Sequence, residues 1–158
     1  MQSTPIRLTD LPRTVIVIHP RERRSKCSVE PFRKNPDYLF TTFPNPVPID
    51  LSNYVRIGIG GPLLSEADDQ KGLLLLDGTW KRAASMEPFY SHVELRSLPP
   101  VRTAYPRKSE IFEDPEGGLA TVEALYTAMR ILGRDTTGVL EQYCWKQGFL
   151  ELNGWASM

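Results

Sequence analysis

Residues that ligate metals or carry redox chemistry are scarce in this chain. It has two histidines, His19 and His92, and two cysteines, Cys27 and Cys144, in 158 residues. The cysteines are far apart and form no Cys-x-x-Cys pair, which excludes a zinc ribbon or a disulfide framework and suits a reduced, cytoplasmic setting. No His-x-x-x-His or His-Glu pair supplies three or four ligands, so no metal is expected. Neither histidine lies beside a Gly-x-Ser-x-Gly turn, which argues against a Ser-His-acid hydrolase. Gly58, Gly60 and Gly61 do not open a helix, so Walker and Rossmann phosphate cradles are missing. Apolar runs are short: Leu73–Leu76 is far below the roughly 20 residues that cross a bilayer, and the amino-terminal residues form no signal-type block. A soluble protein is expected. Net charge is lacking too, with 19 basic and 19 acidic residues. Attraction to a polyanion must therefore be local.

What is present begins with a hydrophobic content of 41%, enough at this length for a single domain over residues 1–158. Residues 1–34 carry eight basic side chains against three acidic ones. Arg21, Arg23, Arg24, Lys26, Arg33 and Lys34 make that segment the first candidate footprint for nucleic acid.

Thr14–His19 is a β-branched run closed by Pro20, and Val55–Ile59 alternates before Gly60, Gly61 and Pro62; both spacings predict strands. Five prolines between Pro31 and Pro48 predict an ordered loop with one short strand at Tyr38–Thr42. Leu73–Leu76 predicts a strand buried on both faces that ends in Asp77-Gly-Thr-Trp80. Val93–Leu98 alternates up to Pro99-Pro100, and a long loop follows to Gly118. Leu119, Val122, Leu125, Tyr126, Met129 and Leu132 share a helical face that stops at Gly133, and Val139, Leu140, Tyr143 and Leu150 mark a second helix. The pattern is that of an α/β domain with a mostly parallel sheet flanked by helices. Such sheets bind ligands at the carboxyl ends of their strands.

Taken in order, Leu64-Ser-Glu-Ala-Asp68, Asp77-Gly-Thr-Trp80, Arg96-Ser-Leu-Pro99, Gly118-Leu-Ala-Thr-Val-Glu-Ala124 and Trp145-Lys-Gln-Gly-Phe-Leu-Glu-Leu-Asn153 resemble one family, the RNA aminocarboxypropyltransferases. The resemblance covers about residues 14–153. It takes in both the DTW-domain enzymes of transfer RNA and the enzymes of small-subunit ribosomal RNA. The Phe-Leu-Glu-Leu-Asn ending and the early His-Pro and Lys-Cys-Ser residues are more similar to the ribosomal branch. The amino-terminal cysteine cluster of the DTW enzymes is absent, and Ala104-Tyr-Pro-Arg-Lys-Ser109 stands where the ribosomal branch has an Asn-Pro-x-Asn-Tyr-Gly loop.

The resemblance implies a SPOUT-like fold with a deep carboxyl-terminal trefoil knot. It also implies S-adenosylmethionine as cofactor and transfer of its 3-amino-3-carboxypropyl group to a uridine or pseudouridine base of ribosomal or transfer RNA. The alternatives are a SPOUT-type RNA methyltransferase and a non-catalytic RNA-binding or assembly module. For the site it implies Trp80 as a wall for adenine, with Pro62, Leu63 and Leu98 completing an apolar slot. Leu76, Leu98 and Thr103 would contribute backbone groups, and Leu119, Thr121 and Glu123 would meet the cofactor at a helix start. Asp77 would bind the cofactor's amino group or ribose, or accept a proton, and is the catalytic candidate. Arg21, Arg23, Arg24 and Lys26, with Arg107 and Lys108 on the second loop, would hold phosphates. A monomer acting on structured RNA is expected.

Overall fold

The computed structural model describes residues 4–22, 28–104 and 119–156, the side chain of Trp80 excepted. The strands are β1 (Thr14–Ile18), β2 (Tyr38–Thr42), β3 (Tyr54–Leu63), β4 (Gly72–Asp77) and β5 (Glu94–Ser97), and the helices are α1 (Trp80–Met86), α2 (Thr121–Ile131) and α3 (Lys146–Leu152). All five strands are parallel, in the order β2-β1-β4-β3-β5. β1 and β4 lie inside the sheet and need apolar side chains on both faces, which explains their unbroken Val, Ile and Leu runs.

Strand alternation divides the core in two. Ile16, Ile18, Val55, Leu73 and Leu75 pack under α2 through Val122, Leu125 and Met129. Val15, Val17, Tyr54 and Leu74 point the other way, against Met86 of α1, Tyr90 and Val93. Each fully buried aliphatic side chain stabilises the fold by about 1.5–3 kcal/mol. Gly72 opens β4 where the Tyr54 ring occupies the place of a Cβ, so only glycine fits.

The proline-rich stretch is more than a connection. Because β2 is an edge strand and β3 lies beyond β1 and β4, the chain must cross the sheet. Phe43, Val47, Ile49 and Leu51 do so in contact with the second core, every other residue facing inward along most of the way.

Three elements differ from expectation. β3 continues through the two glycines and Pro62 to Leu63, because Gly58 and Leu63 both pair with Ser97 and the residues between them bulge outward. α1 was not foreseen: its first turn is capped by Thr79, whose hydroxyl accepts the Arg82 N–H, and Pro88 follows it closely. The second carboxyl-terminal helix starts only at Lys146. Val139, Leu140 and Tyr143 are buried, as their pattern requires, but sit in turns after Gly138, whose φ is +79°.

Candidate functional site

Hydrogen bonding around β4 creates an opening at its carboxyl end. β4 pairs with β1 as far as Asp77, but its ladder with β3 stops at Leu74, opposite Arg56. His19 N–H donates to the Asp77 carbonyl at 3.0 Å on the β1 side. Successive residues of a strand turn their polar groups to alternate sides, so the N–H and C=O of Leu76 face β3. The next rung, between Leu76 and Ile57, is not made, because β3 has turned away to follow β5. The result is a crevice between β4 and the β3–β5 pair, edged by main-chain donors and acceptors.

The residues singled out from the sequence fall into three groups. Asp77, 4% exposed, lies on the α2 face, where its carboxylate accepts the Thr121 hydroxyl at 2.5 Å. Thr121 is the first residue of α2, and the next N–H, that of Val122, donates to the Ser28 hydroxyl at 3.0 Å. Asp77, the helix start and the segment after β1 are thereby tied together.

Thr103 and Glu123 form the second group. Glu123 is fully buried and accepts four hydrogen bonds: Thr103 Oγ1–H at 2.5 Å, Ala120 N–H at 2.9 Å, Ala104 N–H at 2.9 Å and Tyr143 O–H at 3.0 Å. Ala120 offers no side-chain oxygen, so only the glutamate half of a capping box exists. The carboxylate is engaged with protein donors and holds the loop after β5 against α2. Asn153 holds the same loop from the other end. Its Oδ1 accepts the Arg102 N–H at 2.8 Å, and its Nδ2 donates to the carbonyls of Arg102 and Phe149 at 2.9 Å each. Leu98, Val101 and Ala104 pack from this loop onto the core below α2.

Pro62 and Leu63 make the third group. They end β3, with Leu63 62% exposed and paired with Ser97, the residue before Leu98. Leu76 offers the crevice its backbone, while its side chain packs on the opposite face of the sheet. Leu119 is half-buried just before α2. The side chain of Trp80 and all of Arg23, Arg24, Lys26, Arg107 and Lys108 lie outside the described residues. Arg21 is exposed beside His19.

A second concavity adjoins the first. At the tips of β1 and β2, Ile18, His19, Pro20, Glu22, Glu30, Arg33 and Thr42 line a cleft of about 160 Å³. Arg82 of α1 reaches across to Glu22 at 3.2 Å and to the Arg21 carbonyl at 3.0 Å. Burial, then the charges of Arg82 and Arg21, hold the His19 imidazole below its ordinary pKa, with Glu22 opposing them. Ser28, Asn153 and Glu22 gave no usable signal by spacing, because their partners lie 94, 51 and 60 residues away. Among the described residues no group of three or more His, Cys, Asp or Glu side chains is arranged to hold a metal, and no helix is long and apolar enough to cross a membrane.

No protein-family model matches the chain, and no curated protein matches it. A solved structure does: the SAM-dependent rRNA:acp-transferase Tsr3 from Vulcanisaeta distributa is 24% identical, with a TM-score of 0.69, over 91% of this chain and 79% of that one. At that identity the likeness establishes a shared fold, an α/β domain built on a parallel sheet.

Proposed function

We propose that this protein is an S-adenosylmethionine-dependent RNA aminocarboxypropyltransferase that modifies a uridine or pseudouridine base, most readily in ribosomal RNA. The observation that carries the proposal is the split between β4 and β3, with Asp77 and the start of α2 at its base. The fold shared with a SAM-dependent rRNA acp-transferase supports the same reading. So does the order of the sequence motifs.

The residues present fit the cofactor. Leu76 offers its main-chain N–H and C=O to an adenine edge, as main-chain groups commonly do in nucleotide sites. Pro62, Leu63 and Leu98 supply apolar surface, and Trp80 is assigned to the same slot. Asp77, oriented by Thr121, suits an ammonium group, and Leu119 and Thr103 border the helix start. Glu123 acts through the loop it holds. When bound, S-adenosylmethionine supplies electrophilic carbons on a sulfonium that leaves as a neutral thioether.

Asp77 would take the proton released by the attacking base nitrogen, and bound S-adenosylmethionine would supply the electrophilic carbon and the thioether leaving group. Holding the reacting atoms about 3–3.5 Å apart would supply much of the acceleration. Arg21, Arg23, Arg24, Lys26, Arg107 and Lys108 are assigned to RNA phosphates, because attraction between a neutral protein and RNA must be local. The knot of the SPOUT class, a monomeric state and a cytoplasmic location belong to the same proposal.

The test is to incubate the protein with RNA and S-adenosylmethionine and identify the nucleoside product. Methylthioadenosine supports aminocarboxypropyl transfer, and S-adenosylhomocysteine indicates a methyltransferase. RNA binding with no cofactor binding by calorimetry refutes both and leaves an RNA-binding module.

A further inference from the structure

The amino-terminal end of the sheet, opposite the crevice, holds a cavity that the proposed function leaves unused. Tyr38 opens β2 there, and the Asp37 carbonyl accepts the N–H of Thr14, the first residue of β1, at 3.0 Å. The cavity measures about 400 Å³ and lies between three segments far apart in the chain, at residues 7–9, 32–38 and 135–139. The geometry points to it as a binding site for a free α-amino acid with an apolar side chain. The inference stands apart from the proposed function, because no residue lining this cavity is assigned to the cofactor or to RNA.

Its walls are tied to one another. Ile6 donates its N–H to the Gly133 carbonyl and accepts the Asp135 N–H, each at 2.9 Å, which fastens the segment carrying Arg7 and Leu8 to the turns after α2. Asp135 Oδ1 accepts the Thr137 N–H at 3.0 Å, and Asn35 Oδ1 accepts the Asp37 N–H at 2.9 Å. Small-molecule sites are usually preformed and measure roughly 300–1,000 Å³. At the low end of that range, this cavity has room for an amino acid and none for an oligonucleotide.

The lining joins an apolar floor to charges of both signs. Leu8, Phe32, Tyr38 and Val139 line the cavity and belong to the core below α2 or pack against it, with the Phe32 and Tyr38 ring centres 4.8 Å apart. They offer apolar surface to an aliphatic or aromatic side chain. Asp37 is half-buried, and among the described residues its carboxylate accepts no hydrogen bond and forms no ion pair. The Arg7 guanidinium is likewise unpaired among the described residues, and the Asn35 amide nitrogen donates to no other group there. Opposite charges that line one cavity without meeting each other are complementary to a ligand that carries both. An ammonium group suits Asp37, and a carboxylate suits Arg7 with the Asn35 amide.

Other ligand classes match less of the lining. A phosphate would meet Asp37 and Asp135, two carboxylates to one guanidinium. A polyamine would bring like charge to Arg7 and gain nothing from the apolar floor. A peptide terminus carries only one of the two charges. Such unmatched charges are how a site rejects the wrong ligand.

The test titrates the full chain, with labelled methyl groups, by nuclear magnetic resonance. The ligands are L-leucine, N-acetyl-L-leucine, L-leucinamide and glycine. Leucine should shift the methyl signals of Leu8 and Val139 and saturate below about 10 mM, while the two capped analogues and glycine bind at least about tenfold more weakly. Asp37→Asn should narrow the gap between leucine and N-acetyl-leucine to less than about threefold, and Arg7→Gln should do the same for leucinamide. Neither side chain holds another described residue, so the circular dichroism spectra of both variants should match wild type. Unmoved Leu8 and Val139 signals, equal binding of leucine and any of the other three ligands, or a preference that survives both substitutions overturns the inference. Failure of the same preparation to bind S-adenosylmethionine would overturn the proposed function alone.

Discussion

Replacing Glu123 by Gln tests whether one buried carboxylate organises the site. Each oxygen accepts one backbone N–H and one hydroxyl. The new amide group must face one of these pairs. The hydroxyl on that side can rotate and accept, but the backbone N–H, of Ala104 or of Ala120, cannot. One buried N–H is then unsatisfied, at about 1–3 kcal/mol, and the bonds on the other oxygen fall from charge-assisted to neutral strength, at about 1 kcal/mol each. The expected loss is about 3–5 kcal/mol, a large part of the 5–15 kcal/mol typical of a domain. Urea denaturation followed by fluorescence should show the midpoint falling by roughly 2 M, given a slope of about 1–3 kcal/mol per molar. Tyr143→Phe removes one donor and orphans no backbone group, so it should lose only about 1.5–3 kcal/mol. A Glu123→Gln unfolding free energy within about 0.5 kcal/mol of wild type, the range of an ordinary surface change, would refute the hub.

Asn153→Ala removes three hydrogen bonds at a largely exposed clamp. It should destabilise by about 1–2 kcal/mol, with S-adenosylmethionine affinity measured by calorimetry falling as the loop loosens. Thr121→Val takes away the donor that orients Asp77. Cofactor affinity should drop about tenfold, equivalent to about 1.4 kcal/mol, with little change in the circular dichroism spectrum. Burial opposes ionisation of Asp68, but Arg96, the Ser65 N–H and Lys71 outweigh it and hold the carboxyl below its usual pKa. The unfolded chain therefore takes up that proton first as the pH falls. The Asp68 contribution is complete above the ordinary carboxylate range and is lost below it, so Asp68→Asn should flatten the acid limb of thermal stability against pH.

Much of the fold was legible because burial leaves a periodic trace. The unbroken apolar runs of β1 and β4 announced interior strands of a parallel sheet, and the 3.6-residue spacing from Leu119 to Leu132 announced α2. α1 has only seven residues, too few for periodicity to register, and the turns at Val139–Tyr143 imitated a helix because buried positions recur in both. β3 ran past its glycines because a bulge, which leaves no hydrophobic signature, let Leu63 share Ser97 with Gly58.

The site divides in the same way. Sequence alone determined which residue types end each strand: Asp77 after four leucines, Leu98 before two prolines, Thr121 and Glu123 at a helix start. Tertiary structure decided which of these meet. It turned Glu123 inward to four donors, set Asp77 on Thr121, opened β4 from β3 beyond Leu74 and brought Glu22 beside His19. Spacing along a chain fixes which face a side chain occupies. Partners 44 to 94 residues away are chosen only when the sheet has formed, because hydrogen bonds act over about 3 Å.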